Sequence, residues 1–149
     1  MTASLRHRLP EDPESLRAAL YAGAIFRVPA SEAALALCEA SRRLLHESLG
    51  EAPRLAHASY DATTFFQHIG ALRHTLYTDP KLLQLTKETA SSYGFAAEHS
   101  AFDPARLRVV SHRGHEIPRA KALYTPHRDT WYAHPECIVN WWLPLHTLT

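Results

Sequence analysis

His127-Arg128-Asp129 places an imidazole and a carboxylate two residues apart, inside the run Tyr124-Thr125-Pro126-His127-Arg128-Asp129-Thr130-Trp131-Tyr132. On an extended strand successive side chains point to opposite faces, so positions i and i+2 converge and can hold two corners of one metal ion. One neutral histidine and one carboxylate are two thirds of the facial set, two histidines and a carboxylate, that binds iron(II) while leaving positions open. His127 and Asp129 are therefore the candidate metal ligands. The tripeptide alone is a weak signal, since most His-x-Asp pairs are surface or hydrogen-bonded groups. Its neighbours carry the rest of the case.

A third ligand is not evident. His146 is the downstream histidine at greatest distance, and if residues 133–136 form a hairpin turn it pairs opposite Leu123. At about 3.3 Å per residue that is roughly 13 Å along the strand from His127, against metal bonds of about 2 Å. His146 therefore reads as a strand-end residue.

The elements that would position the motif can be read from local signals. Asp12-Pro13 is a cap followed by proline at the first helical position, and predicts a short helix to Leu20. Ala24–Val28 reads as a strand closed by Pro29. Ser31 caps a helix to Leu49, with Leu35, Cys38, Arg42, Leu45 and Leu49 along one stripe and Gly50 as its stop. A second long helix starts near Asp61, with Phe65, Ile69, Leu72 and Leu76 on one face, and Asp79-Pro80 opens a third through Leu82, Leu83, Thr86 and Thr89 to Tyr93-Gly94. From Asp103 the character changes. Leu107–Ser111 is strand-like, and Ile138-Val-Asn-Trp-Trp-Leu-Pro-Leu145 reads as a strand buried on both faces, so strands bracket the motif. No repeat or low-complexity linker is visible. One domain is expected, with residues 1–105 mainly helical and residues 106–149 mainly extended.

From Arg106 to His146, the blocks Arg106-Leu-Arg-Val-Val110, Pro126-His-Arg-Asp-Thr-Trp-Tyr132 and Asn140-Trp-Trp-Leu-Pro-Leu145 resemble the start of the catalytic barrel of iron(II)/2-oxoglutarate-dependent oxygenases, on the phytanoyl-CoA-dioxygenase-like side. The upstream segment is similar to the helical lead-in of that family. The resemblance implies an α+β fold, a helical layer followed by the first strands of a double-stranded β-helix, or jelly roll. It implies iron(II) and 2-oxoglutarate as cofactors, with His127 and Asp129 as the proximal ligands. It also implies oxidation of a small-molecule or acyl substrate as 2-oxoglutarate becomes succinate, and a carboxylate at Asp129 points to hydroxylation over halogenation. Tyr124 and Trp131, flanking the motif, together with Asn140 and Trp142 on one strand face, are the candidate cofactor-binding residues. The family's distal histidine and 2-oxoglutarate-gripping arginine lie on later strands. Roughly 40 residues should separate the distal ligand from the motif, and residues 130–149 are fewer. The expectation is thus a partial chain with an incomplete site, inactive by itself, whose exposed strands favour self-association. The competing class is a non-catalytic truncated barrel or interaction module.

Sixteen Lys and Arg against fifteen Asp and Glu give a formal charge of +1, which argues against an electrostatic nucleic-acid binder. No run is long enough to span a bilayer and no signal-peptide core follows Met1, so no membrane partner is expected and the setting reads as cytoplasmic. Two cysteines, Cys38 and Cys137, read as buried thiols. His112-x-x-His115 and His134-x-x-Cys137, with His127, imitate zinc-ligand spacing, but one thiol among histidines is unlike a structural zinc site, and solvated loop histidines are the plainer reading. Arg108, Arg113, Arg119 and Lys121 form either a substrate-facing cluster or an ordinary polar face. No phosphate loop or nucleophile elbow occurs.

Overall fold

Asp12 accepts a bond from the Ser15 backbone N–H at 2.8 Å and so opens α1 (Pro13–Tyr21), which buries Leu16 and Ala19. The helix connects two short parallel strands, β1 (Ser4–Arg6) and β2 (Ala24–Phe26), with Leu5 opposite Ile25. A parallel pair needs such a crossover, which explains why a helix stands between strands of only three residues. The computed structural model describes residues 4–110, 116, 134, 135 and 137–146.

Ser31 caps α2 (Glu32–Leu49), its hydroxyl accepting from the Ala34 N–H at 3.2 Å. At the other end Gly50 adopts φ 81°, a left-handed conformation costly for any residue with a Cβ, and its N–H bonds the His46 carbonyl. A 3₁₀ turn at Pro53–Leu55 leads into the single-turn helix α3 (Ala56–Ser59). Asp61 caps α4 (Ala62–Thr78), accepting from the N–H groups of Thr63 and Thr64. Asp79 then serves twice. Its N–H bonds the Thr75 carbonyl at the end of α4, while its carboxylate caps Lys81 and Leu82 at the start of α5 (Pro80–Ser92). One residue thus turns the chain between two helices.

α2 packs against both α4 and α5. Leu49, Ala56, Ile69 and Leu72 form one buried cluster, and Leu37, Leu76 and Leu82 a second; Leu44 and Leu107 touch both. The buried face of α2 is Ala34, Leu37, Cys38, Ser41 and Leu49, whereas Leu35 is 54% exposed. The expected stripe was therefore out of phase at its start. A helix with neighbours on two sides buries a broader arc than one stripe, and Leu35 falls outside it.

The expected α+β jelly-roll fold is overturned. The structure is mostly helical, with five α-helices and only two short parallel strands among the described residues. Leu107–Val110 and Ile138–Leu145 carry strand composition, but their described residues join no sheet. Composition supplies propensity; a strand also needs a neighbour to take its ladder bonds. The chain divides into two compact units, residues 1–107 with 143–149, and residues 108–142. Among the described residues, no helix is long and apolar enough to cross a membrane.

Candidate functional site

The helical unit receives the chain on either side of the motif-bearing stretch. Leu107 is half-buried against both leucine clusters, and the Arg73 Nε–H of α4 donates to its carbonyl at 3.3 Å. Leu143 packs on the same Leu37, Leu76 and Leu82 cluster. Two residues on, the Arg42 Nε–H of α2 donates to the Leu145 carbonyl at 3.0 Å, while another guanidinium nitrogen pairs with Glu39 at 2.9 Å. Arg42, Pro144, Leu145 and His146 border a shallow surface depression.

The proposed ligands His127 and Asp129, the flanking Tyr124 and Trp131, and the zinc-spaced His112 and His115 lie outside the described residues, as do Arg113, Arg119 and Lys121. Asn140 and Trp142 are exposed, Trp142 at 73%. Trp141 is 38% exposed and Leu143 half-buried, so the run Ile138–Leu145 is not enclosed on both faces as its composition suggests. Pro144 in that run cannot donate a ladder bond, which also works against a central strand. Arg108 is exposed and engaged by a partner, and His146 is exposed in the bend with Leu145. His134 is half-buried.

The cysteines differ. Cys38 is buried, and that burial pushes its thiol pKa up against a smaller downward pull from Arg42. A thiol raised by desolvation stays protonated and unreactive. Cys137 is exposed, contrary to expectation, because the segment it opens is not a core strand. Among the described residues no three His, Cys, Asp or Glu side chains gather as a metal-holding group.

Two features escaped sequence reasoning. Arg42 stood in an otherwise apolar stripe, and a cation inside such a stripe is itself a signal of a special task. The second is a half-buried trio: Ser48 Oγ lies 3.2 Å from His68 Nδ1, and the Tyr60 ring lies 4.9 Å from the His68 ring. A serine beside an imidazole is the first half of a nucleophile–base pair. Here Ser48 stands in the last turn of α2 and His68 within α4, beside the Leu49 and Ile69 cluster, where the bond satisfies two polar groups at the edge of the core.

No family model, curated protein or solved structure matches the chain.

Proposed function

We propose that the chain contributes His127 and Asp129 to the iron(II) site of a 2-oxoglutarate-dependent oxygenase that hydroxylates a small-molecule or acyl substrate. The observation that carries this is the run Pro126-His-Arg-Asp-Thr-Trp-Tyr132 followed by Asn140-Trp-Trp-Leu-Pro-Leu145 behind a helical lead-in. Support comes from the donor chemistry and from the helical layer, not from a barrel. A neutral imidazole and a carboxylate suit iron(II), and the third donor is left unassigned. When bound, iron(II) with 2-oxoglutarate supplies the oxygen chemistry, succinate being the co-product. His127 would offer a nitrogen lone pair and Asp129 a negative charge to the ion. Tyr124, Trp131, Asn140 and Trp142 are assigned to cosubstrate or substrate contact. A cytoplasmic setting accords with Cys38 and Cys137 being unpaired thiols.

Titration of the full chain with Mn(II) or Fe(II) under argon, followed by calorimetry, tests the assignment. Loss of an outer-sphere partner typically weakens a metal site by about 10- to 100-fold. His127→Ala and Asp129→Ala should each therefore weaken binding by at least about tenfold, with His146→Ala leaving it unchanged. Equal affinity in wild type and both motif variants would refute it.

A second reading, a non-catalytic interaction module, is favoured by Val109, Val110, Trp141 and Trp142, exposed at 44, 56, 38 and 73%. Large apolar side chains left in water are a mark of contact surfaces.

A further inference from the structure

We propose that Arg42 and Arg73 form a two-point carbonyl clamp by which the helical unit fixes the chain where residues 108–142 leave it and where they return. The two bonds have the same form: a guanidinium Nε–H on a long helix donates to a main-chain carbonyl, Leu145 for Arg42 and Leu107 for Arg73. Each captured carbonyl lies beside an apolar peg, Leu107 itself at one end and Leu143 at the other, and both pegs seat on the cluster of Leu37, Leu76 and Leu82.

The chemistry explains why arginine is used. Leu107 and Leu143–Leu145 belong to no sheet, so ladder N–H groups do not serve their carbonyls, and a carbonyl drawn toward an apolar cluster needs a donor. A guanidinium has five N–H donors in a rigid fork, so Arg42 can hold Glu39 with one nitrogen and the Leu145 carbonyl with another. Arg42 is half-buried and its bond is 3.0 Å, whereas Arg73 is exposed and its bond is 3.3 Å; the return point is the firmer hold. Leu107 and Leu143 seat on one cluster, so the folding of the helices meets the entropy of bringing these two points of the chain together. The clamp does not depend on metal binding at His127 and Asp129.

Hydroxyl-radical footprinting of the full chain reads it, with Leu107 and Leu143 oxidation as the signal and buried Ile69 and Leu82 as internal standards for the helical core. Arg42→Ala should raise Leu143 oxidation about threefold or more, and Arg73→Ala should raise that of Leu107 about twofold, the range a single hydrogen bond supports. The double variant should show both increases with Ile69 and Leu82 unchanged. Arg42→Lys, which keeps one donor, should fall between Arg42→Ala and wild type. Arg43→Ala, which removes an exposed pair to Glu47, should change nothing. Unchanged Leu107 and Leu143 oxidation in the double variant overturns the clamp. So does oxidation of Leu82 rising in step with Leu143, since the arginines would then hold the whole fold and not the two ends.

Discussion

Replacing Leu37 and Leu35 separately by alanine asks which face of α2 is the core. The apolar periodicity puts Leu35 on the stripe, whereas in the structure Leu37 is 5% exposed and Leu35 54%. Leu→Ala removes the equivalent of three methylene groups, about 2.4 kcal/mol of transfer free energy at about 0.8 kcal/mol each. At Leu37 nearly all of that is realised, and the gap left against Leu76 and Leu82 adds a cavity cost, for a total of about 3–4 kcal/mol. At Leu35 about half the side chain is already in water, no cavity forms, and alanine is the better helix former, so the loss should stay below about 1 kcal/mol. Urea unfolding followed by circular dichroism, with a slope of about 1–3 kcal/mol/M, converts these to a midpoint lower by about 2 M for Leu37→Ala and by less than about 0.5 M for Leu35→Ala. Since a domain of this kind has only about 5–15 kcal/mol in hand, Leu37→Ala should remain folded but clearly weakened. Equal midpoint losses, or a larger one for Leu35→Ala, would refute the packing of α2 described here.

Asp61 has its carboxyl held below the ordinary range, chiefly by the Thr64 hydroxyl and then by the Thr64 and Thr63 N–H groups. A lowered folded-state pKa stabilises above the unfolded value near 3.8, and that contribution fades as pH drops through the folded value. Acid titration of helicity should therefore have a shallower limb below about pH 4 for Asp61→Asn than for wild type, and identical limbs would count against it. Tyr93 donates to the Pro29 carbonyl at 2.8 Å and accepts from the Ser31 N–H at 3.0 Å, tying the end of α5 to the start of α2. Tyr93→Phe should cost about 1–2 kcal/mol in thermal unfolding, and an unchanged melting temperature would count against the bond. If the exposed apolar residues of the 108–142 unit make a contact surface, Trp142→Ser should lower the mass measured by light scattering at high concentration; a monomer at every concentration in both proteins would remove that reading.

The helical layer was legible because its signals are local. Asp12, Ser31, Asp61 and Asp79 each stand at the start of a helix and accept backbone N–H bonds there, and Pro13 and Pro80 occupy positions where a missing N–H costs nothing. β1 was missed because Ser4-Leu5-Arg6 is too short to show alternation; its pairing with Ala24–Phe26 depends on a contact across α1. Leu35 was misplaced for a related reason, since which side of a helix is covered depends on the neighbours it meets, while Cys38 and Leu49 of the same stripe are buried. Of the candidate site, the residue types at His127 and Asp129 were legible, while the carbonyl bonds of Arg42 and Arg73 reach 103 and 34 residues along the chain and leave no mark in spacing.

Ile138–Leu145 shows how far composition can be carried. Isoleucine, valine and two tryptophans within eight residues satisfy every preference of a buried strand, yet such preferences describe a side chain resting on a pleated surface already provided by neighbours. No described strand flanks this segment, and Pro144 removes one donor. A seated Leu143 and a captured Leu145 carbonyl hold its end on the helical unit, with Trp142 left largely in water. Trp142, spent on a core by its composition, is instead 73% exposed, which is why self-association and metal affinity are the two measurements that bear on function.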